Sequence, residues 1–122
     1  MRKFSVLVVE DHPDTRTMLG EMLQMHGYLV MEAKDGAIAW QLLENLQPDV
    51  VVTDLTMPHV SGFELIRHIR ELSEFRETPV IAISAFGSEC LKDAERAGAT
   101  QTLRKPFDMD ELTGAIDTVL AA

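Results

Sequence analysis

Five side chains in this sequence have types that could do chemistry together: Glu10, Asp11, Asp54, Ser84 and Lys105. Asp11 and Asp54 lie 43 positions apart, Asp54 and Ser84 30, and Ser84 and Lys105 21. Three carboxylates a few ångströms apart repel one another, and a hard cation relieves this better than protonation does. An all-oxygen site with few protein ligands suits Mg²⁺, which keeps several waters and shares phosphate oxygens. Asp11 and Asp54 are the expected direct ligands, with Glu10 acting through a bound water. A carboxylate can also be a nucleophile and form an aspartyl phosphate. In-line phosphoryl transfer needs charge neutralisation more than acid or base chemistry. A cation on one phosphoryl oxygen and Lys105 on another would provide it, and Ser84 could bond the group once it is in place. Taken singly, each residue has a plainer role. Asp11 is equally a helix cap ahead of Pro13, Asp54 a solvated loop acid, Ser84 a strand-end hydroxyl and Lys105 a surface lysine. The plain roles fail only if one place in the fold collects all five.

The elements that carry them can be read from hydrophobic spacing. Residues 4–9 form a valine-rich run of a buried strand. Residues 14–26 follow as a helix, with Met18, Leu19, Met22 and Leu23 on one face, Pro13 in its first turn and Gly27 closing it. Residues 29–33 read as a weaker strand. Asp35 caps a helix bearing Ile38, Leu42 and Leu46, which Pro48 ends. Residues 50–53 are a fully apolar strand. A loop containing Pro58 leads to Ser61, which forms a capping box with Glu64 ahead of Leu65, Ile66 and Ile69. Pro79 opens a third apolar strand at 80–84. Ser88 is the expected cap of the next helix, and Gly98 its end. Residues 101–104 form a short polar strand, and Asp108 caps a last helix with Leu112, Ile116 and Leu120 inside.

Five strand-then-helix repeats imply an α/β fold, a parallel sheet flanked by helices on both faces. The first, third and fourth strands are apolar throughout, as central strands must be, whereas the second and fifth carry polar residues that suit edges. The order 2-1-3-4-5 satisfies this with right-handed crossovers. That is the flavodoxin-like, doubly wound, three-layer arrangement, whose ligand crevice lies at the carboxyl ends of strands 1 and 3. Glu10 and Asp11 follow strand 1, Asp54 ends strand 3, Ser84 ends strand 4 and Lys105 follows strand 5. All five therefore fall on one edge.

Composition narrows the function. The chain has 122 residues, is 46% hydrophobic and carries a net charge of −9. This fits one domain, spanning residues 1–122, and opposes direct nucleic-acid binding, which needs a basic footprint. The lone Cys90 permits no internal disulfide and suits a reducing compartment; it reads as a packing residue. No apolar run is long enough to span a bilayer, and no leader-like segment is visible, so a cytoplasmic location is expected. The four histidines make no zinc-ligand spacing. Met18, Met22 and Met25 read as core rather than as a binding groove, and Trp40 as half-buried.

The sequence resembles the receiver domains of two-component response regulators over essentially its whole length. The matching pieces are Val-Val-Glu-Asp at 8–11, Val-Val-Thr-Asp at 51–54, Met-Pro at 57–58 with Ser-Gly at 61–62, Ser-Ala at 84–85 and Lys-Pro-Phe at 105–107. The resemblance implies that Asp54 is the phosphoacceptor and that Glu10, Asp11, Asp54 and the backbone carbonyl of Thr56 hold Mg²⁺. It implies that Ser84 is the switch hydroxyl, that Lys105 pairs with the phosphoryl group and that the Lys105–Pro106 bond is cis. The donor would be a sensor histidine kinase or phosphotransfer protein, which often faces the first helix. The output surface would be the fourth helix, fifth strand and fifth helix, meeting a downstream effector or output domain, with homodimerisation open. Such a domain is a signalling switch, not an enzyme beyond its own phosphorylation and autodephosphorylation. The family usually has an aromatic residue three positions before the lysine; here it is Thr102. Activation would then rest on Ser84 alone or on another group such as Phe86. Phe86 could also exclude the hydrolytic water, unless it simply packs on the fourth helix.

Three other functions compete. An aspartate-nucleophile phosphatase needs a second acid two residues after the first, where Thr56 stands. A flavin or nucleotide binder on this fold needs a phosphate-cradling first loop, and residues 10–14 are acidic. A receiver-like interaction module that takes no phosphate would not need the complete acidic set. No output domain is expected within these residues.

Overall fold

The computed structural model describes residues 3–56 and 61–121. Its elements are β1 (Ser5–Val9), α1 (Pro13–Met25), β2 (Leu29–Ala33), α2 (Gly36–Leu46), β3 (Val50–Asp54), α3 (Gly62–Glu71), β4 (Val80–Ser84), α4 (Ser88–Ala97), β5 (Gln101–Arg104) and α5 (Met109–Ala121). The strands form one sheet in the order β2-β1-β3-β4-β5, and every neighbouring pair is parallel. This is the expected fold.

Period-two alternation sorts the strand side chains into two cores. Leu7, Val9, Val51 and Ala82 face α2, α3 and α4, packing with Leu43, Leu65, Ile66, Ile69 and Ala94. Val6, Val8, Val52, Ile81 and Ile83 face α1 and α5, packing with Leu19, Leu23, Leu112 and Ile116. Central β1 and β4 are almost wholly buried, while edge strands β2 and β5 are mostly half-exposed. Each fully buried leucine or isoleucine contributes about 1.5–3 kcal/mol of transfer free energy.

Helix starts follow their caps. Asp35 accepts from the Ile38 amide at 2.9 Å, and Ser61 accepts from the Glu64 amide at 3.3 Å. Asp108 accepts from the Glu111 amide at 2.8 Å while Glu111 accepts from the Asp108 amide, a reciprocal pair. Gly98, at φ +120°, closes α4 in the left-handed region that glycine tolerates.

Four expectations need correction. Ser88 is the first helical residue of α4; the cap position is Gly87, with no side-chain bond. His12, not Asp11, precedes α1, so the capping role for Asp11 is removed. On α2 Ile38 and Leu42 pack half-buried against the core, but the fully buried residues are Gly36, Ala39 and Leu43, and Leu46 is exposed. Met18 and Met25 are 51% and 85% exposed, so the methionine face of α1 is not core. Met18 and Met22 instead line an apolar groove of about 700 Å³ with Phe107 and Met109, and Lys105 lies at its edge.

Candidate functional site

The carboxyl ends of β1 and β3 deliver the acids. Strand β1 ends at Val9, and the next amide, of Glu10, still bonds the Ala33 carbonyl of β2 at 3.0 Å. That extra rung draws Glu10 into the sheet edge, where it is only 3% exposed, while Asp11 stays in solvent. Asp54 is the last residue of β3 and half-buried. One carboxylate oxygen from each of Glu10, Asp11 and Asp54 lies within 4.8 Å of the others.

Lys105 enters from just beyond β5, held by its amide on the Ser84 carbonyl at 2.9 Å. Its Nζ sits 3.2 Å from Glu10 Oε1 and 3.6 Å from Asp54 Oδ2. The Lys105–Pro106 peptide is cis. Burial and the nearby charge of Asp54 push the Glu10 carboxyl above its ordinary range, despite the opposing pull of Lys105. Burial alone would lower the Lys105 ammonium, but the charges of Asp54 and Glu10 outweigh it and raise the ammonium above its usual value. Three oxygen donors of this closeness and hardness fit Mg²⁺ rather than a soft metal.

The other expected residues lie on or just after β1, β3, β4 and β5. Ser84 is buried, with its hydroxyl accepting from the Phe86 amide at 3.0 Å and donating to Cys90 Sγ at 3.5 Å. Thr56 is exposed and its amide approaches Asp54 Oδ1 at 3.5 Å. Thr102 lies in the middle of β5 opposite Ala82. Phe86 is 60% exposed, so it does not simply pack on α4. Met57, Pro58 and His59 lie outside the described residues. His12 meets the site through its backbone amide, 3.3 Å from Glu10 Oε2.

Three neighbours escaped the sequence reading as contributors. A Cβ on Gly62 would collide with the Asp54 carbonyl oxygen and come 2.8 Å from Leu55 Cα, so only glycine lets α3 start against the backbone of the acid. The Ser-Gly pair at 61–62 was the available signal. Arg16 donates to the Glu10 carbonyl at 3.0 Å and lies 3.9 Å from Glu32, fixing the acidic loop to α1. Cys90 holds Ser84. Arg16 stands out by neither type nor spacing, and Cys90, though the lone cysteine, reads only as a packing residue.

A family model described as "Response regulator receiver domain" matches residues 6–117. The chain belongs to the receiver-domain family of two-component signalling systems. It is 40% identical over 113 residues to "Uncharacterized 14.6 kDa protein in sodA1 3'region" of Leptolyngbya boryana, covering 92% of this chain and 86% of that one. It is 37% identical to the "Sensor histidine kinase TmoS" of Ectopseudomonas mendocina, covering 95% of this chain but only 12% of that protein. Among solved structures, the receiver domain of sensor histidine kinase PA1611 from Pseudomonas aeruginosa superposes with a TM-score of 0.90 at 28% identity. That match covers 99% of this chain and 100% of the other, and the PA1611 structure has a magnesium ion coordinated in its active-site cleft. Among the described residues no helix is long and apolar enough to cross a membrane.

Proposed function

We propose that the chain is a phosphorylation-dependent switch in which Asp54 takes the phosphoryl group of a phosphohistidine presented by a sensor histidine kinase or phosphotransfer protein. The observation that carries this reading is the packing of three carboxylate oxygens within 4.8 Å beside the Lys105 ammonium. Neither a loop acid nor a structural ion pair calls for that arrangement. Mg²⁺, held by Asp11, Asp54 and the Thr56 carbonyl, with Glu10 reaching it through water, would neutralise charge on the phosphoryl oxygens.

An oxygen of Asp54 attacks phosphorus, the new O–P bond forming as the P–N bond breaks and the imidazole leaves with the bonding pair. Lys105 exchanges its contact with Asp54 for one with a phosphoryl oxygen, stabilising the charge spread over that group. Burial of Glu10 keeps the adjoining wall fixed, so little reorganisation accompanies transfer. Ser84 turns its hydroxyl to a phosphoryl oxygen and so reports the modification to α4, β5 and α5, the surface offered to an effector or output domain. With Thr102 in β5, no aromatic ring at that position takes part. Water attack on phosphorus later releases phosphate and restores the carboxylate. The apolar groove beside Lys105, lined by Met18, Met22 and Phe107, adjoins the site and suits the apolar side of the donor. The receiver unit accounts for residues 1–122, and the cytoplasm is where it would meet its donor.

Incubation with acetyl phosphate and Mg²⁺, followed by intact mass, tests the reading. A gain of one phosphoryl group that EDTA abolishes and Asp54→Asn lacks is expected. No gain in the native protein under any magnesium-containing condition would leave an interaction module that takes no phosphate.

A further inference from the structure

The Ser84 hydroxyl has a single proton, and Cys90 Sγ is placed to accept it at 3.5 Å, a length normal for a sulfur acceptor. Ser84 is 1% exposed, so its proton has no solvent to turn to. Its oxygen is fixed from the other side by the Phe86 amide at 3.0 Å. Cys90 lies in the first turn of α4 and packs against the core beneath α2, α3 and α4. The hydroxyl therefore can donate to α4 or to a phosphoryl group on Asp54, never to both.

We propose that Cys90 is a positioning residue that holds the Ser84 hydroxyl in its resting orientation, so that turning toward the phosphoryl group breaks a bond to α4. This rests on the switch reading above. It places the first mechanical consequence of phosphorylation at the start of α4, an outlet that needs no aromatic side chain at Thr102. Cys90→Ala removes the acceptor and leaves Ser84 readier to turn. Cys90→Ser restores an acceptor.

The thiol is the only one in the chain, so its S–H stretching band, in a spectral window free of other protein absorption, reports on the surroundings of Cys90 alone. Infrared spectra of the ligand-free protein and of Ser84→Ala are expected to differ in that band. Magnesium and beryllofluoride, a phosphoryl mimic, are expected to move the native band to the Ser84→Ala position. By calorimetry, Cys90→Ala is expected to bind beryllofluoride roughly two- to tenfold more tightly, the equivalent of one net hydrogen bond. Cys90→Ser is expected to bind as the native protein does, and Cys90→Ala to have no further effect in a Ser84→Ala background. An S–H band unchanged by Ser84→Ala overturns the proposal. So does an equal affinity change from Cys90→Ala with and without Ser84, which would mark a packing effect. Absence of beryllofluoride binding by the native protein would instead refute the Asp54 reading, and the ligand-free spectra would still decide the Cys90 contact.

Discussion

Replacing Asp54 by asparagine should make the metal-free protein more stable, because it removes a charge that repels the buried Glu10 and the nearby Asp11. Asp54 has two like-charged neighbours, Glu10 and Asp11, with oxygens within 4.8 Å, and one opposite charge, Lys105 Nζ, at 3.6 Å. Each such interaction is of order 1 kcal/mol in water and about 4 kcal/mol at an effective dielectric near 20. The Lys105 attraction offsets about one repulsion, leaving roughly one uncompensated. Asp11 is exposed, which puts the remainder toward the low end, about 1–2 kcal/mol. For a chain of this size that raises Tm by about 3–10 °C. The assay is urea or thermal unfolding in EDTA, followed by fluorescence of Trp40, which is half-buried with its ring 6.1 Å from that of Phe75. Repeating it in millimolar Mg²⁺ should raise the native Tm by mass action and raise that of Asp54→Asn much less. A variant less stable than the native protein in EDTA, or equally stabilised by Mg²⁺, would refute the claim that mutual repulsion at this site is held for a cation.

Other outcomes follow from the same geometry. Gly62→Ala should cost of order 3 kcal/mol, read by urea unfolding, because its Cβ would meet the backbone of Asp54 and Leu55. The Glu10 carboxyl is raised above 4.5 in the fold, so below that pH its contribution to metal-free stability is fully present. The contribution is lost as pH rises through the folded value; Glu10→Gln should flatten this decline in a pH series of unfolding in EDTA. Burial and the Asp117 carboxylate raise the Tyr28 phenol from 10.0 to about 12. Its stabilising effect should vanish between those values, and Tyr28→Phe should show no such loss in alkaline melts. Phe86→Ala should shorten the phosphoryl lifetime several-fold if the exposed ring shields phosphorus from water; an unchanged autodephosphorylation rate removes that role.

Much of the fold was legible because parallel βα units write themselves in strong patterns. Residues 29–33, 80–84 and 101–104 are strands with the boundaries their composition suggests, and polarity alone placed β2 and β5 at the edges. The acids and Lys105 could be assigned to one sheet edge because strand ends in such a sheet converge. Where the reading failed, the physical signal was weak or ambiguous. The fully buried stripe of α2 runs through Gly36, Ala39 and Leu43, which carry less signal than the half-buried Ile38 and Leu42 packed beside them, and only the exposed Leu46 misdirected the reading. Methionines on α1 are apolar whether they fill a core or line a groove, and only their exposure in the fold distinguishes the two. The unequal burial of Glu10 and Asp11 depends on the Glu10 amide extending the ladder to β2 by one rung. The Ser84–Cys90 contact depends on where α4 begins. Neither is encoded in residue type.

The most direct test of the central claim is to locate the phosphoryl group. Protein treated with acetyl phosphate and Mg²⁺ would be reduced with borohydride, which converts an aspartyl phosphate to homoserine, then digested and sequenced by mass spectrometry. The account predicts homoserine at position 54 and nowhere else. Homoserine at position 11, or at neither acid while the intact protein has gained phosphate, would contradict it.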